Sequence, residues 1–173
     1  MKIVQSNAIS VNGMIARENG DEDWLPSEGW DEFVADVMQY GNFIMGRETY
    51  ELVMKLYPNY NFDNLECNYK IIVTKNRNFI KPDGYVVVDS PEAAIDILEK
   101  IGNEIGLLVG GGRLNSSFYK AGLIDEIWLT VCPTILGEGR SFIGTQGLEV
   151  NLKLIDAIKL SKDRVQLKYT VIK

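Results

Sequence analysis

Leu107-Leu108-Val109-Gly110-Gly111-Gly112-Arg113-Leu114 is the stretch that decides the fold of this chain. A short apolar run stops at three glycines, and an amphipathic segment carrying Leu114, Ser117, Phe118 and Ala121 begins at once. That is the pattern of a strand, a tight turn and a helix. Glycines let the backbone approach a ligand closely and adopt positive φ. The helix start behind them offers free N–H groups and the positive end of its dipole, which suits a phosphate. One expectation is a phosphate-bearing cofactor; the other is a turn that only packs helix on strand. Asn115 stands where the third glycine of a G-x-G-x-x-G fingerprint belongs, and no Gly-Lys-Ser/Thr follows, so the turn is neither that motif nor a P-loop.

Outward from this turn, strands and helices alternate. Residues 2–9 read as a strand ending in the Asn12-Gly13 turn. Trp30, Phe33, Val34, Val37 and Met38 fall at helical spacing, with Ser27 as the expected cap. Residues 42–45 form a short apolar strand ending at Gly46, and the helix after it carries Tyr50, Val53, Met54 and Tyr57 up to Pro58. Residues 70–74 and 85–88 are β-rich, and Ser90-Pro91-Glu92 starts a helix closed by Gly102. Residues 127–131 form another strand, and 152–160 pairs with the alternating 165–171 as an antiparallel hairpin. The expectation is one α/β domain over residues 1–173, a mixed, mostly parallel sheet with helices on both faces and a closing hairpin. Ligands bind such sheets beyond the carboxyl ends of the strands, where the glycine turn, Gly46-Arg47 and Thr74-Lys75 all fall.

Composition narrows the chemistry. At 173 residues, 46% hydrophobic and 24% charged, the chain suits a substantial core. A net charge of −6 argues against nucleic acid as partner, and no apolar run approaches the roughly 20 residues of a membrane helix. The first residues lack the apolar core of a signal peptide, so a cytoplasmic location is expected. Cys67 and Cys132 are isolated thiols without metal-ligand spacing. Histidine is absent, which excludes Ser-His and Cys-His nucleophiles and histidine-bound zinc and favours chemistry carried by a cofactor.

Met45-Gly46-Arg47-Glu48-Thr49-Tyr50 is the second informative site. Gly46 permits close approach as a helix begins, Arg47 forms forked bonds to phosphate, and Thr49 adds a hydroxyl. Thr74-Lys75-Asn76-Arg77 presents a hydroxyl, an ammonium, an amide and a guanidinium. Together they suit a dinucleotide with an extra phosphate. A salt bridge to Glu48 or Glu51 is the structural alternative for Arg47, and a solvated loop is the alternative for Lys75 and Arg77.

These residues resemble the dihydrofolate reductase-like superfamily, and most closely the reductase domain of the riboflavin-biosynthesis enzyme RibD. The likeness rests on Ser10 to Ala16, Met45 to Glu51, Val109 to Gly112, Gly122 to Glu126 and Pro133 to Gly139, in the family's order. It implies an NADPH-dependent oxidoreductase, often a homodimer. In that resemblance Gly46, Arg47 and Thr49 contact the cofactor phosphates, Thr74 and Lys75 lie near the 2′-phosphate, Gly110, Gly111, Gly112, Arg113 and Leu114 wrap the pyrophosphate, and Ala8 and Ile15 border the nicotinamide. Asn12 replaces the family's aspartate near the substrate. The deaminase half of the bifunctional enzyme, with its histidine-containing zinc signature, is absent.

Trp24-Leu25-Pro26-Ser27-Glu28 resembles the segment of dihydrofolate reductases that precedes their substrate carboxyl. Glu28 is thus the candidate proton relay, or else a first-turn glutamate favoured by the helix dipole. Trp24 is a candidate stacking residue, and Gly139-Arg140 a candidate loop over the substrate, with Arg140 meeting a ribose phosphate. The expected activity is reduction of the aminopyrimidine ribosyl phosphate of riboflavin synthesis. Dihydrofolate reduction, or a non-catalytic nucleotide-binding module on the same fold, is the alternative.

Overall fold

The computed structural model describes residues 1–57, 62–144 and 147–173. Its strands are β1 (Lys2–Ser10), β2 (Met14–Ala16), β3 (Asn42–Gly46), β4 (Tyr69–Val73), β5 (Tyr85–Val88), β6 (Ile105–Gly110), β7 (Glu126–Cys132), β8 (Arg140–Ser141), β9 (Leu152–Lys159) and β10 (Val165–Val171). The helices are α1 (Glu28–Tyr40), α2 (Arg47–Leu56), α3 (Pro91–Lys100) and α4 (Gly112–Lys120). Eight strands join one sheet in the order β5-β4-β3-β6-β1-β7-β10-β9. The first six are mutually parallel, whereas β10 runs antiparallel to both β7 and β9. This is the mixed, mostly parallel sheet with a C-terminal hairpin that the alternation predicts.

Strand alternation sends successive side chains to opposite faces. Ile44, Ile71 and Leu108 pack with Leu98 of α3 and with Leu114 and Phe118 of α4. Their neighbours Phe43, Met45, Ile72 and Leu107 pack with Val37 of α1 and Val53 of α2. Helices therefore cover both faces, and buried strands without polar alternation are the consequence.

Local details depart from expectation in two places, and one expectation lies outside the described residues. Ser27 does not cap α1: its backbone is already helical, and its hydroxyl turns to the Glu28 carboxylate at 3.3 Å. The Gly137–Ser141 segment is partly ordered as β8, which pairs with β2 in a small second sheet. Pro58, expected to stop α2, lies outside the described residues, and α2 ends at Leu56.

Parallel strands put all their carboxyl ends on one edge. There β3 runs directly into α2, β5 reaches α3 through Asp89-Ser90, and β6 turns into α4 through Gly111.

Candidate functional site

A cleft of about 1210 Å³ runs along that edge. Gly46–Thr49, Ser90–Glu92 and Gly111–Leu114 line it, so the N-termini of α2, α3 and α4 converge on one space. The N–H groups of a helix's first turn have no acceptor inside the helix, and the dipole is positive there. Ser90 caps α3 by accepting from the Ala93 N–H at 3.3 Å, whereas Gly46 and Gly111 leave α2 and α4 without a side-chain cap. Two uncapped helix starts and one capped one make a donor-rich wall in a chain of net charge −6.

The three glycines have partners within the protein. Gly110 adopts φ 109°, and the Gly110–Gly111 peptide bond is cis. The Gly111 N–H donates to Thr49 Oγ1 at 2.8 Å, and a Cβ on Gly111 would lie 2.9 Å from that oxygen. A Cβ on Gly112 would lie 2.3 Å from the Ser141 carbonyl oxygen. The glycines thus admit the α2 start and the 141–144 loop against the turn, and both of these line the cleft. Asn115, in the third-glycine position, ties the same parts together. Its amide donates to Asn7 Oδ1 at 3.1 Å and to the Phe142 carbonyl at 2.8 Å. Ser116 accepts the Gly144 N–H at 2.9 Å.

The cations in the cleft are not all free. Arg47 is ion-paired with Glu51 at 2.6 Å and with Glu48 at 3.6 Å, and Arg113 meets Glu48 at 3.4 Å. Lys75 has no ion-pair or hydrogen-bond partner among the described residues. Thr74 Oγ1 accepts the Asn76 N–H at 3.1 Å and so shapes the loop rather than standing idle. A second hollow of about 710 Å³ adjoins this end, shares Thr74, Lys75, Asn76, Asp89 and Ser90, and adds Arg77.

At the opposite end the cleft meets Ala8, Ile15, Glu22, Trp30, Phe33 and Arg140. Trp30 packs on Phe33 and Phe62 with ring centroids 5.4 and 5.8 Å apart. Glu32 forms a two-pronged pair with the buried Arg164 at 2.8 and 2.9 Å. Burial raises the Asp36 carboxyl above its ordinary value, Lys168 opposes that shift and Glu32 adds to it. Burial also pushes Glu22 up to about 7, and the Asp21 charge adds to the shift.

Comparison with known proteins decides the family. Residues 1–166 match the family model of the RibD C-terminal domain. The chain belongs to that family. The uncharacterized protein YwjB of Bacillus subtilis (strain 168) is 30% identical over 97% of this chain and 97% of its own length. Among solved structures, the diaminohydroxyphosphoribosylaminopyrimidine deaminase/5-amino-6-(5-phosphoribosylamino)uracil reductase of Thermotoga maritima superposes with a TM-score of 0.76 at 14% identity, over 99% of this chain and 56% of that one. A dihydrofolate reductase from Enterococcus faecalis reaches 0.74 at 16% identity, covering 99% of this chain and 97% of that one. The architecture is that of the dihydrofolate reductase-like proteins.

Of the residues singled out in this RibD-type sequence, Ala8, Ile15, Gly46, Arg47, Thr49 and Thr74 line the cleft. So do Lys75, Gly111, Gly112, Arg113, Leu114 and Arg140. Gly110, Asn12, Trp24, Glu28 and Gly139 are not on its wall. Asn12 spends its side chain on the 136 backbone, donating to the Leu136 carbonyl at 2.5 Å and accepting its N–H at 3.1 Å. Gly139 packs on the Ala16 carbonyl, 2.5 Å from where a Cβ would stand, which explains the glycine without a ligand. Glu28 is exposed at the α1 start, with its carboxylate accepting from Ser27 Oγ. The cleft is instead lined by Glu22, which no motif in the sequence marks. Its signal is weak, a middle acid in Asp21-Glu22-Asp23, and only the packing of the loop distinguishes it from its neighbours. The α3 start was legible: Ser90-Pro91 follows a parallel strand just as Gly46 and Gly111 do.

Proposed function

We propose that this protein is an NADPH-dependent reductase of a small heterocyclic substrate. The observation that carries the reading is the convergence of three helix N-termini with Arg47, Arg113 and Lys75 on one cleft. That donor set fits a pyrophosphate at α2 and α4, with Gly46, Arg47, Thr49 and Gly111 to Leu114 as its contacts. Thr74, Lys75, Asn76 and Arg77 suit the extra phosphate, while Asp89 is the one carboxylate on the same hollow among the described residues. Bound there, NADPH supplies a hydride beside Ala8 and Ile15.

The substrate we favour is the aminopyrimidine ribosyl phosphate of riboflavin synthesis, in line with the family and with the activity named for the Thermotoga protein. Trp30 and Phe33 offer aromatic surface to a flat ring, and Arg140 offers a guanidinium to the ribose phosphate. Dihydrofolate is the weaker reading, because the carboxyl it invokes, Glu28, is not among the residues that line the cleft. A homodimer belongs to the same proposal. The outer strand β9 leaves Leu152, Leu154 and Ile155 exposed along an unpaired edge. Light scattering is expected to give twice the chain mass, and Leu154→Lys is expected to shift it toward the monomer.

Titration with NADPH and NADH, read as energy transfer from tryptophan to the bound nicotinamide, tests the reading. Saturable binding with NADPH well ahead of NADH is the expected result, and no binding of either overturns it. Arg47→Met is expected to raise the NADPH dissociation constant about tenfold, which is ~1.4 kcal/mol. The value sits near the lower end of a charge-assisted bond because Arg47 must leave Glu51 to reach a phosphate.

A further inference from the structure

We propose that Glu22 is the proton donor of the reduction, a role that rests on the reductase reading above. Three independent features of its surroundings single it out among the carboxyls of the cleft.

The first is position. Glu22 lines the same cleft as Ala8 and Ile15, and Ala16, Leu25 and Trp30 line it too. The second is rigidity. The Glu22 N–H donates to Tyr57 Oη at 2.7 Å, and that hydroxyl in turn donates to the Asp21 carboxylate. On either side, the Arg17 N–H donates to the Asp21 carbonyl at 2.8 Å, and the Leu25 N–H to the Glu22 carbonyl at 2.9 Å. Asp21 Oδ1 also accepts the Asp23 N–H at 3.0 Å. The backbone of the residue is held by Tyr57, which follows α2, and from within its own loop.

The third feature is the lack of a counter-charge. Among the described residues no hydrogen bond or cation reaches the Glu22 carboxyl. Arg17, in the same loop, is committed to Asp23 at 2.5 Å. Arg140 from β8 lies across Gly20 and donates Nε–H to the Glu18 carbonyl at 3.1 Å. On α1, Glu32 is paired with Arg164, and the Asp36 charge is opposed by Lys168. Tyr57, just past the end of α2, and Asp21 beside it are the remaining titratable groups near Glu22, and neither supplies positive charge. A carboxyl desolvated in this way favours its neutral form, which carries the O–H a donor needs. Burial with the Asp21 charge brings it to about 7, where the acid and its conjugate base are both populated at neutral pH.

The balance of the step follows. The acceptor's C=O or C=N carbon takes hydride from reduced nicotinamide, and its heteroatom takes the proton from Glu22. The π bond, the nicotinamide C–H bond and the Glu22 O–H bond break, while one C–H and one X–H bond form. The nicotinamide is oxidised, the acceptor is reduced, and solvent in the open cleft returns a proton to the carboxylate.

Two measurements test this. In protein carrying 13C at its glutamate carboxyls, the Glu22 signal, assigned by its absence from Glu22→Gln, is expected to titrate near pH 7. A midpoint at the ordinary 4.5 overturns the proposal. In stopped flow with NADPH and either 5-amino-6-(5-phosphoribosylamino)uracil or dihydrofolate, hydride transfer by the wild type is expected to fall as pH rises through 7. Glu22→Gln is expected to be about 10²–10⁴-fold slower and insensitive to pH over that range, with NADPH affinity unchanged. Glu22→Asp is expected to recover part of the rate. Equal rates in the wild type and Glu22→Gln overturn the donor role, as does a wild type that binds NADPH and turns over neither probe. A wild type that fails to bind NADPH at all overturns the reductase reading itself, and the donor role with it.

Discussion

Replacing Asn42 by alanine is expected to lower the unfolding free energy by about 3–5 kcal/mol, as measured by urea denaturation near neutral pH. Asn42 is fully buried at the first position of β3, where β3 and β6 have not yet closed their ladder. Its amide donates to the Ile105 carbonyl at 2.8 Å and to the Tyr40 carbonyl at 2.9 Å, and its oxygen accepts the Leu107 N–H at 3.1 Å. One side chain therefore stands in for the missing strand–strand bonds and also ties down the end of α1. Alanine leaves three backbone groups without partners, at about 1–3 kcal/mol for each group that water does not reach. Because β3 and β6 are the strands whose ends carry Gly46 and Gly110, the same change is expected to weaken NADPH binding. Asn42→Asp keeps one acceptor but loses both donors, so it is expected to be no better than alanine. A loss under about 1 kcal/mol for Asn42→Ala would show that the two strands hold their register without it.

The role of Asn42 illustrates what the chain's pattern conceals. Local periodicity sufficed for the eight strands of the main sheet, for α1 to α4 and for the glycine turn, though not for the small sheet of β2 and β8. The alternation over 165–171 likewise foretold the hairpin, though not the bulge between Lys168 and Tyr169. Asn42 reads as the first residue of a strand, but the bonds its side chain makes are hidden until Ile105 and Leu107 are brought beside it. Gly111 and Gly112 were recognised as special, but their partners Thr49 and Ser141 lie far away along the chain. Backbone approach was legible; what approached was not. Glu28 and Glu22 differ for a similar reason. A short motif aligned Glu28 with a functional carboxyl, whereas the loop of Glu22 is held by Tyr57, 35 residues later, which accepts its N–H.

That grip has a consequence for stability. The Glu22 carboxyl titrates near 7 in the folded protein and near 4.5 when unfolded. Below pH 4.5 it is protonated in both states and burial costs it little. Between 4.5 and 7 the unfolded chain gives up the proton while the folded one retains it, so stability is lost as pH rises through this window. The full difference corresponds to ~3 kcal/mol, reached above pH 7. Asp36, raised by burial, contributes in the same sense, so the wild-type profile alone does not isolate Glu22. Glu22→Gln does, because the amide has no charge to lose at any pH in the range. Urea denaturation of both proteins at pH 4 and pH 8 is expected to show the variant gaining on the wild type by about 3 kcal/mol between the two. A difference that stays constant with pH would mean that solvent in the cleft already hydrates the Glu22 carboxylate. The same burial that favours a proton donor at the nicotinamide end would then be missing, and the loss would be visible without any ligand present.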